Sequence, residues 1–249
     1  MKKSDLNINT QALTMIAHKL RTPLSIINGY CEALQTQNKN SLSPFSVKAL
    51  EEIGVQGAHI SHLIDKLAAF NKVWAASAQT MQKKQFFLKP LIKQSAARVL
   101  ALEESLSSAR QGGPESTVVR KGTFVETDCP DKLSLTADED LLRLCVEELL
   151  TNAVKFNIKA EKVIKVQGIN HGDCISLSVR DYGVGIRPQD VSRIFEPFYQ
   201  VDDDQTGQVT GWGLGLTMVK RILDLHNGAI NVVSDRGLGS IFTVNLPIL

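Results

Sequence analysis

The sequence predicts an α+β protein, built from a helical hairpin followed by an α/β sandwich. One observation is a seven-residue apolar repeat confined to the first part of the chain, which is typical of paired helices. The other is the pattern beyond residue 78, where short alternating strands are interspersed with strongly periodic helices. A mixed sheet with helices on one face buries both sets of apolar residues. We therefore expect two domains, over residues 1–78 and 79–249.

The N-terminal repeat predicts an amphipathic helix over roughly residues 5–36. Its apolar stripe recurs at seven-residue steps, through Leu6, Leu13, Leu20, Ile27 and Leu34. The polar segment TQNKNSLSP then indicates a turn. Apolar residues at steps of three and four predict the returning helix, and they include Leu50, Ile53, Gly57, Ile60, Ile64, Leu67 and Trp74.

A single hairpin of this kind has one apolar face and too small a core of its own to bury it. Two copies that form a four-helix bundle would cover that face, so we predict a homodimer. We place Trp74 in the core at the end of this bundle.

Beyond the hairpin, helices and strands alternate. A short strand and a helix are predicted in FFLKPLIKQSAARVLALEE, and a strand or hairpin in STVVRKGTFVET. A strongly periodic helix follows in DEDLLRLCVEELLTNAVKFN, then two antiparallel strands in KVIKVQGI and CISLSVRDYG. The last helix, LGLTMVKRILDLH, precedes the strands GAINVVSD and SIFTVNLPIL. These elements supply the mixed sheet and the helices of the sandwich.

The composition argues against several partners and sites. With 28 basic and 26 acidic residues the net charge is +2, so no overall field attracts nucleic acid or an anionic membrane. No apolar run approaches the ~20 residues that span a bilayer. The four cysteines form no CxxC pair, which argues against zinc and for a reducing compartment. We expect a cytoplasmic chain without a membrane span.

The first helix carries the unusual segment IAHKLRTPLSII at residues 16–27. On a helical wheel, His18 lies about 150° and Thr22 about 170° from the centre of the apolar stripe, so both face solvent one turn apart. Pro23 removes a backbone hydrogen bond beside the imidazole. A solvated histidine and a functional one both suit this pattern, and the second domain decides between them.

Two glycine-containing segments have the composition of a nucleotide site. In DYGVGI, Asp181 can accept a hydrogen bond from an exocyclic amine such as that of adenine, and Gly183 and Gly185 let the backbone approach the base. In GWGLGL, glycines at the start of a helix can wrap a phosphate chain. The residues of interest there are Gly211, Gly213, Gly215 and Leu216.

Two further segments complete the set. In EELLTNAVKF, Glu148, Asn152 and Lys155 share one helix face, with an amide oxygen suited to Mg²⁺ and an ammonium suited to phosphate. The segment IFEPFYQVDDDQTGQVTG joins an aromatic patch, with Phe195 and Phe198, to a polar stretch, which is the composition of a hinged lid. Each segment alone also suits an ordinary helix, turn or loop. Their joint order carries the interpretation.

That order resembles the catalytic and ATP-binding domain of sensor histidine kinases, whose nucleotide fold is shared with gyrase and Hsp90-like ATPases. NAVKF looks like the N box, DYGVGI the G1 box, FEPF the F box and GWGLGL the G2 box. GLGSIFTVNLP resembles the closing glycine box and final strand, and AHKLRTPL resembles the H box of the phosphotransfer helix. The resemblance covers nearly the whole chain, residues 10–249.

The resemblance implies an ATP-dependent protein histidine kinase. By it, His18 accepts the γ-phosphate and passes it to an aspartate on the receiver domain of a response regulator, which is the implied partner. Thr22 matches the residue that anchors the hydrolytic water in a phosphatase reaction, and Pro23 matches a kink that lets the helix bend. The chain can then be a piece of a larger sensor, a point that stays open.

The resemblance also assigns the nucleotide site, with ATP and Mg²⁺ as cofactors. Asp181 reads adenine in a pocket lined by Gly183 and Gly185, while Asn152 and Glu148 are the metal candidates. Further positions are the phosphate-steadying Lys155, the lid anchors Phe195 and Phe198, and the lid base formed by Gly211, Gly213 and Gly215.

Three positions depart from the family pattern. Lys19 follows the histidine where Asp or Glu is usual, and a positioned general base is worth ~10²–10⁴ in rate, so we expect slow autophosphorylation. A cation there also disfavours an imidazolium beside it. Gln200 replaces an arginine that reaches phosphate, which also points to modest phosphotransfer. Glu148 stands where Asn is common, and ATPase relatives use a glutamate at this place to activate water.

Two other functions therefore stay open. One is an ATPase on the same fold, in which Glu148 activates water and His18 is incidental. The H box argues against it. The other is a non-catalytic dimeric scaffold or phosphorelay adaptor with little autokinase activity. The intact Asp181 and glycine boxes argue against that function.

Overall fold

The chain forms two compact units. The first comprises residues 1–68 and 101–118, and the second residues 69–100 and 119–249. The domain boundary at residue 78 stays a prediction. The computed structural model describes residues 19–20, 22–27, 29–30, 33–34, 43–108, 122–201 and 211–248.

The first unit is helical where the structure describes it. The described residues between 19 and 34 are helical, in agreement with the first predicted helix. Helix α1 (Pro44–Ala75) then begins behind Ser43, whose Oγ accepts the N–H of Ser46 at 3.2 Å. Pro44 suits the first helical position because its missing N–H has no partner within the helix. Most of the predicted turn TQNKNSLSP lies outside the described residues.

Apolar side chains of this unit are only partly covered by a single copy of the chain. Ala49 and Leu63 are buried, but Leu24 is 52% exposed, Leu50 49% and Ile64 57%. The sequence places Leu50 and Ile64 on the apolar stripe of the returning helix. One hairpin therefore leaves apolar surface in water, as its small size predicts.

The second unit is an α/β sandwich with a mixed sheet, which confirms the predicted fold class. Its strands are β1 (Lys83–Phe87), β2 (Thr123–Asp128), β3 (Ser134–Asp138), β4 (Lys162–Asn170), β5 (Cys174–Arg180), β6 (Ala229–Asp235) and β7 (Gly239–Pro247). Its helices are α2 (Leu88–Ser108), whose last turns belong to the first unit, α3 (Glu139–Lys155) and α4 (Gly215–Leu225). The main sheet has the order β2-β4-β5-β7-β6. β2 runs parallel to β4, and the other neighbours are antiparallel.

Strands β1 and β3 form a separate antiparallel ladder of two strands. The sequence analysis does not predict β3. Its five residues alternate between buried and half-buried side chains, and α3 follows at once. So short a pattern, directly before a strongly periodic helix, does not stand out from a loop.

The core lies between the helices and one face of the main sheet. In β4, Ile164 and Val166 are buried while Lys165 and Gln167 are exposed, so only the first pair faces the helices. The largest fully buried side chains include Leu142 and Leu149 of α3, Met218 and Ile222 of α4, and Leu177 of β5. The packing places α3 beside α4, the two helices that carry the candidate site.

The last two turns of α1 belong to this same core. Val73 is fully buried, and the rings of Phe70 and Trp74 stack with centroids 4.1 Å apart against the sandwich core. Arg221 on α4 donates to the carbonyl of Ala76 at 3.2 Å. The prediction that Trp74 lies in the core of a helical bundle is therefore wrong. The helical stripe continues without a break into the sandwich, so periodicity alone cannot show where one core ends.

Candidate functional site

Asp181 follows β5 directly, and its side chain is buried. Its N–H donates to the carbonyl of Ser240 at 2.9 Å, which extends the pairing of β5 with β7. Its Oδ1 accepts the N–H groups of Gly183 at 2.8 Å and of Ser240 at 3.3 Å. Burial raises the pKa of the carboxyl, and the two backbone bonds oppose that rise. Both bonds fall on one oxygen, so the carboxyl has a fixed orientation at the end of the strand.

The two glycines of the Asp-Gly turn (residues 181–186) lie against the protein's own backbone. A Cβ at Gly183 would collide with the carbonyl oxygen of Phe156, which also accepts the N–H of Val184 at 3.1 Å. Gly185 has φ +69°, and a Cβ there would collide with the carbonyl oxygen of Asp235. The turn is thus held between the end of α3 and the end of β6. The predicted role of these glycines, to let a base approach, stays a prediction, and in the described residues each lies against the protein's own backbone.

One face of α3 meets the glycine loop (residues 211–216). The buried Glu148 places Oε2 2.5 Å from the position that a Cβ would occupy on Gly215. Lys155 places Nζ 2.5 Å from the corresponding position on Gly211. Asn152 lies between them on the helix and is half-buried. The structure therefore brings together the predicted polar face of α3 and the predicted phosphate loop.

The buried face of α3 around Glu148 is strongly apolar. Burial raises the pKa of the Cys145 thiol to about 12, and the negative charge of Glu148 adds to this rise. A carboxylate in such surroundings is costly unless it has compensating partners. Its position at the first turn of α4 is favourable, because the N-terminus of a helix attracts negative charge.

The glycine loop has the backbone that only glycine adopts easily. Gly213 has φ +65°, and its carbonyl accepts the N–H of Phe198 at 2.9 Å. Helix α4 then begins without a side-chain cap from Leu214 and without an acidic residue in its own first turn. The N–H groups at such a start are suited to an anion. Leu216, by contrast, is partly buried and packs against the core.

The predicted lid is described only at its two ends. Phe198 has a positive φ of 64°, and Phe195 packs partly buried against the core, where its carbonyl accepts the hydroxyl of Thr217 at 3.1 Å. Gln200 donates from Nε2 to the carbonyl of Gly211 at 2.8 Å. The two ends are therefore tied together at the base. Residues 202–210, which carry the rest of the lid prediction, lie outside the described residues.

A cluster around Asp190 lies next to the described start of the lid, and the sequence does not predict it. The carboxylate accepts the hydroxyl of Tyr199 at 2.6 Å and Nε of Arg187 at 2.6 Å, while Arg193 lies over the Tyr199 ring at 4.2 Å. The bonds from Tyr199 and Arg187 lower the pKa of Asp190, and the bond to Asp190 raises the pKa of Tyr199. The pair Arg187 and Asp190, three residues apart, is a weak sequence signal that could have indicated the cluster.

Two family models match the chain. The model described as His Kinase A (phospho-acceptor) domain matches residues 8–73. The model described as Histidine kinase-, DNA gyrase B-, and HSP90-like ATPase matches residues 137–249. The chain belongs to the histidine kinase family. The first model spans the helical residues and the second the sandwich, so the predicted family resemblance is confirmed.

Curated histidine kinases match over most of the chain. Sensor histidine kinase RcsC of Escherichia coli K12 is 30% identical over 240 residues, which are 95% of this chain and 23% of that protein. Phosphate regulon sensor protein PhoR of Pseudomonas aeruginosa is 29% identical over 228 residues, 92% of this chain and 47% of PhoR. The chain thus spans less than half the length of either relative.

Solved histidine kinase structures share the fold. The Acinetobacter baumannii histidine kinase AdeS has a TM-score of 0.62 at 21% identity and covers 93% of this chain and 98% of its own. Histidine kinase ThkA in complex with response regulator protein TrrA has a TM-score of 0.65 at 18% identity, over 99% of this chain and 64% of that chain. ShkA in complex with AMPPNP has a TM-score of 0.61 at 24% identity, over 95% and 45%.

The residues of the predicted H box are described in part. His18 lies outside the described residues. Lys19 is helical and half-buried, Thr22 is helical and exposed as predicted, and Pro23 is buried. Leu24, the next residue, is exposed in the described part of a single chain.

The two candidate metal donors on α3 suit Mg²⁺ only together with further ligands. Within the described residues, no group of three or more His, Cys, Asp or Glu could hold a metal ion. Glu148 and Asn152 offer a carboxylate and an amide oxygen four residues apart on α3. Mg²⁺ commonly takes one or two protein ligands and completes its shell with phosphate oxygens and water, so these two residues suffice only when a nucleotide is present. Among the described helices, none is both long and apolar enough to cross a bilayer.

Proposed function

We propose that this chain transfers the γ-phosphoryl group of ATP to His18 and then to an aspartate of a response-regulator receiver domain. The observation that carries the proposal is the fixed, buried carboxyl of Asp181. The same unit places Lys155 of α3 against the glycine loop, where α4 begins without a side-chain cap from Leu214. A carboxylate suits the adenine amine, and a cation beside a helix start suits the phosphates. Groups complementary to the two ends of ATP thus lie in the same unit.

Each residue of the site then has a chemical role. Oδ1 of Asp181 is engaged by backbone N–H groups, and Oδ2 accepts the exocyclic amine of adenine. Lys155 holds a phosphate oxygen as a point charge. Mg²⁺, held by Glu148 and Asn152, supplies positive charge to the phosphates when it is bound.

The transfer itself forms one bond and breaks one. An imidazole nitrogen of His18 attacks the γ-phosphorus, the bond to the β,γ-bridging oxygen breaks, and ADP leaves. The other ring nitrogen of His18 must lose its proton for a neutral phosphoimidazole to form, and Lys19 offers no carboxylate to receive it. We therefore propose a slow autokinase. Thr22, exposed on the helix, serves a separate hydrolysis by anchoring the water that removes phosphate from the regulator.

A second copy of the chain completes the first unit in this proposal. The exposed Leu24, Leu50 and Ile64 supply the apolar surface that a four-helix bundle would bury. The cytoplasm suits the proposal, because it supplies ATP and because the described cysteines Cys129, Cys145 and Cys174 are free. Sedimentation of the whole chain tests the dimer, and a monomer at micromolar concentration would contradict it.

The decisive experiment is incubation of the whole chain with γ-³²P-ATP and Mg²⁺. We expect label that is stable in base and lost in acid, as a phosphohistidine is, and that is absent from His18→Ala and Asp181→Asn. Transfer to a purified receiver domain should then empty the kinase. Label in His18→Ala would place the acceptor elsewhere, and no nucleotide uptake at millimolar ATP would remove the basis of the proposal.

An ATPase remains the second candidate because of Glu148. Its carboxylate is buried and reaches the glycine loop, where a water could be activated. This function predicts that His18→Ala still hydrolyses ATP, and that Glu148→Gln in that background stops it. Phosphate release at the same rate with and without Glu148 would exclude it.

A further inference from the structure

Trp212 is a buried residue of the glycine loop that does not belong to the main core. It is 5% exposed, yet it stands outside the continuous hydrophobic cluster of the sandwich. In the part of the chain that the structure describes, its indole N–H is buried and has no hydrogen-bond partner. An unpaired buried donor costs free energy and is uncommon in native proteins. We therefore expect this N–H group to donate to an acceptor outside the described polypeptide.

The surroundings of Trp212 favour an anionic acceptor. Gly211 precedes it and lies against Nζ of Lys155, and α4 begins three residues later at Gly215 without a side-chain cap. The carboxylate of Glu148 is the acidic group at this helix start. An ammonium and the free N–H groups of a helix start both attract phosphate oxygens.

A second buried donor points to a ligand in the same region. Nδ2 of Asn157 also lacks a partner among the described residues, and Asn157 follows Phe156, whose carbonyl contacts the Asp-Gly turn. The third such atom, Oγ of Ser95, lies in α2. Of the three buried side-chain atoms without a partner in the described ranges, two thus lie on segments that form the candidate site.

We infer that the indole N–H of Trp212 donates a hydrogen bond to an outer phosphate oxygen of the bound nucleoside triphosphate. Trp212 is then a binding residue that favours ATP over AMP. The inference rests on the proposed function, since it requires ATP at the glycine loop. The adenine end is ascribed to Asp181 on a different segment, so the phosphate chain is the acceptor that remains for this loop.

The test compares two matched variants, Trp212→Phe and Trp74→Phe. The chain has two tryptophans, so each variant removes one indole N–H and keeps an aromatic ring. Titration calorimetry with Mg²⁺ gives the affinity of each protein for ATP and AMP. We expect Trp212→Phe to weaken ATP binding about tenfold, as for a hydrogen bond to a charged group, and to leave AMP within about twofold of wild type. Trp74→Phe should match the wild type for both.

A second measurement does not require Trp212→Phe to fold. In ¹⁵N-labelled Trp74→Phe, the one remaining indole N–H resonance should move downfield with ATP and stay in place with AMP. The inference would be overturned if Trp212→Phe and Trp74→Phe bound ATP with equal affinity, or if Trp212→Phe bound ATP and AMP equally weakly compared with the wild type. It would also be overturned if the indole resonance did not shift with ATP. If wild type and Trp74→Phe bind no ATP at all, the proposed function itself fails, which is a different result.

Discussion

The hydroxyl of Tyr199 donates to Oδ1 of Asp190 across 2.6 Å, and Nε of Arg187 takes the other carboxylate oxygen at the same distance. Tyr199 directly follows Phe198, which has a positive φ and bonds to Gly213. The Asp190 cluster therefore holds the aromatic end of the predicted lid next to the glycine loop. Its bonds are charge-assisted and its carboxylate is buried, so it is suited to fixing the position of a strained segment.

Replacement of Tyr199 by Phe tests this relationship. It removes one hydrogen bond to a buried carboxylate, and we expect the free energy of unfolding to fall by about 1–3 kcal/mol. Urea denaturation at neutral pH measures the change. Tyr182→Phe is the control, because the structure gives the Tyr182 hydroxyl no hydrogen bond to the described residues. A Tyr199→Phe protein as stable as the control would show that the bond contributes little.

Acid should destabilise the sandwich through His226. The ring is buried, Nε2 accepts the N–H of Asp138 at 3.0 Å, and Nδ1–H donates to the carbonyl of Ile222 at 2.8 Å, so the ring is neutral. Burial lowers its pKa from 6.5, with Lys83 acting in the same direction and the Ile222 bond and Asp138 against it. The unfolded chain then binds the proton more readily. Stability is complete above pH 6.5 and is lost as the pH falls through the lowered pKa.

We expect this loss to approach ~1.4 kcal/mol per pH unit within that window. Urea denaturation at several pH values below 7 should show a steeper fall for the wild type than for His226→Gln. His171→Gln, which changes an exposed histidine, should keep the slope of the wild type. The same slope in all three proteins would mean that another group causes the acid sensitivity.

Gly185 should tolerate no side chain. Alanine there combines a positive φ of 69° with a collision against the carbonyl of Asp235, and we expect a loss of about 3 kcal/mol or more. Gly172 separates the two causes, since its φ is +93° but nothing lies within 4 Å of an added Cβ. Gly172→Ala should therefore cost only about 1–2 kcal/mol. Thermal or urea denaturation of both variants measures the difference, and similar losses would contradict the close contact.

Lys19→Glu should accelerate autophosphorylation. A carboxylate beside His18 can accept the proton of the ring nitrogen that does not attack, and a positioned base is worth ~10²–10⁴ in rate. Initial rates of ³²P incorporation measure the effect, with Lys19→Gln as the variant that removes the positive charge but adds no base. If Glu and Gln give the same rate as Lys, the residue after the histidine does not limit the kinase.

The sequence predicts the elements of the fold and their contacts wherever the apolar periodicity or the order of motifs is strong. Helices α3 and α4 and strands β4 to β7 follow their apolar patterns, and α3 meets the glycine loop through the predicted Glu148 and Lys155. Strand β3 is too short to stand out, and the Asp190 cluster depends on a contact between turns that no periodic pattern encodes.

Trp74 and the two glycines of the Asp-Gly turn show what a sequence pattern leaves open. A helical stripe indicates that a face is buried but not which core buries it, so α1 was assigned to one unit along its whole length. Likewise, a glycine indicates a close approach without naming what approaches. For Gly183 and Gly185 the structure identifies backbone carbonyls of Phe156 and Asp235.

The end of α1 has a practical consequence for anyone who wishes to work with the sandwich alone. Val73 is buried in its core, the stacked Phe70 and Trp74 pack half-buried against that core, and Arg221 donates a hydrogen bond to the carbonyl of Ala76. A fragment cut at residue 79 would discard these side chains and uncover the apolar surface they protect. A fragment that begins a few residues before Phe70 would retain these side chains. Recombinant fragments of this chain should therefore start inside α1 and not after it.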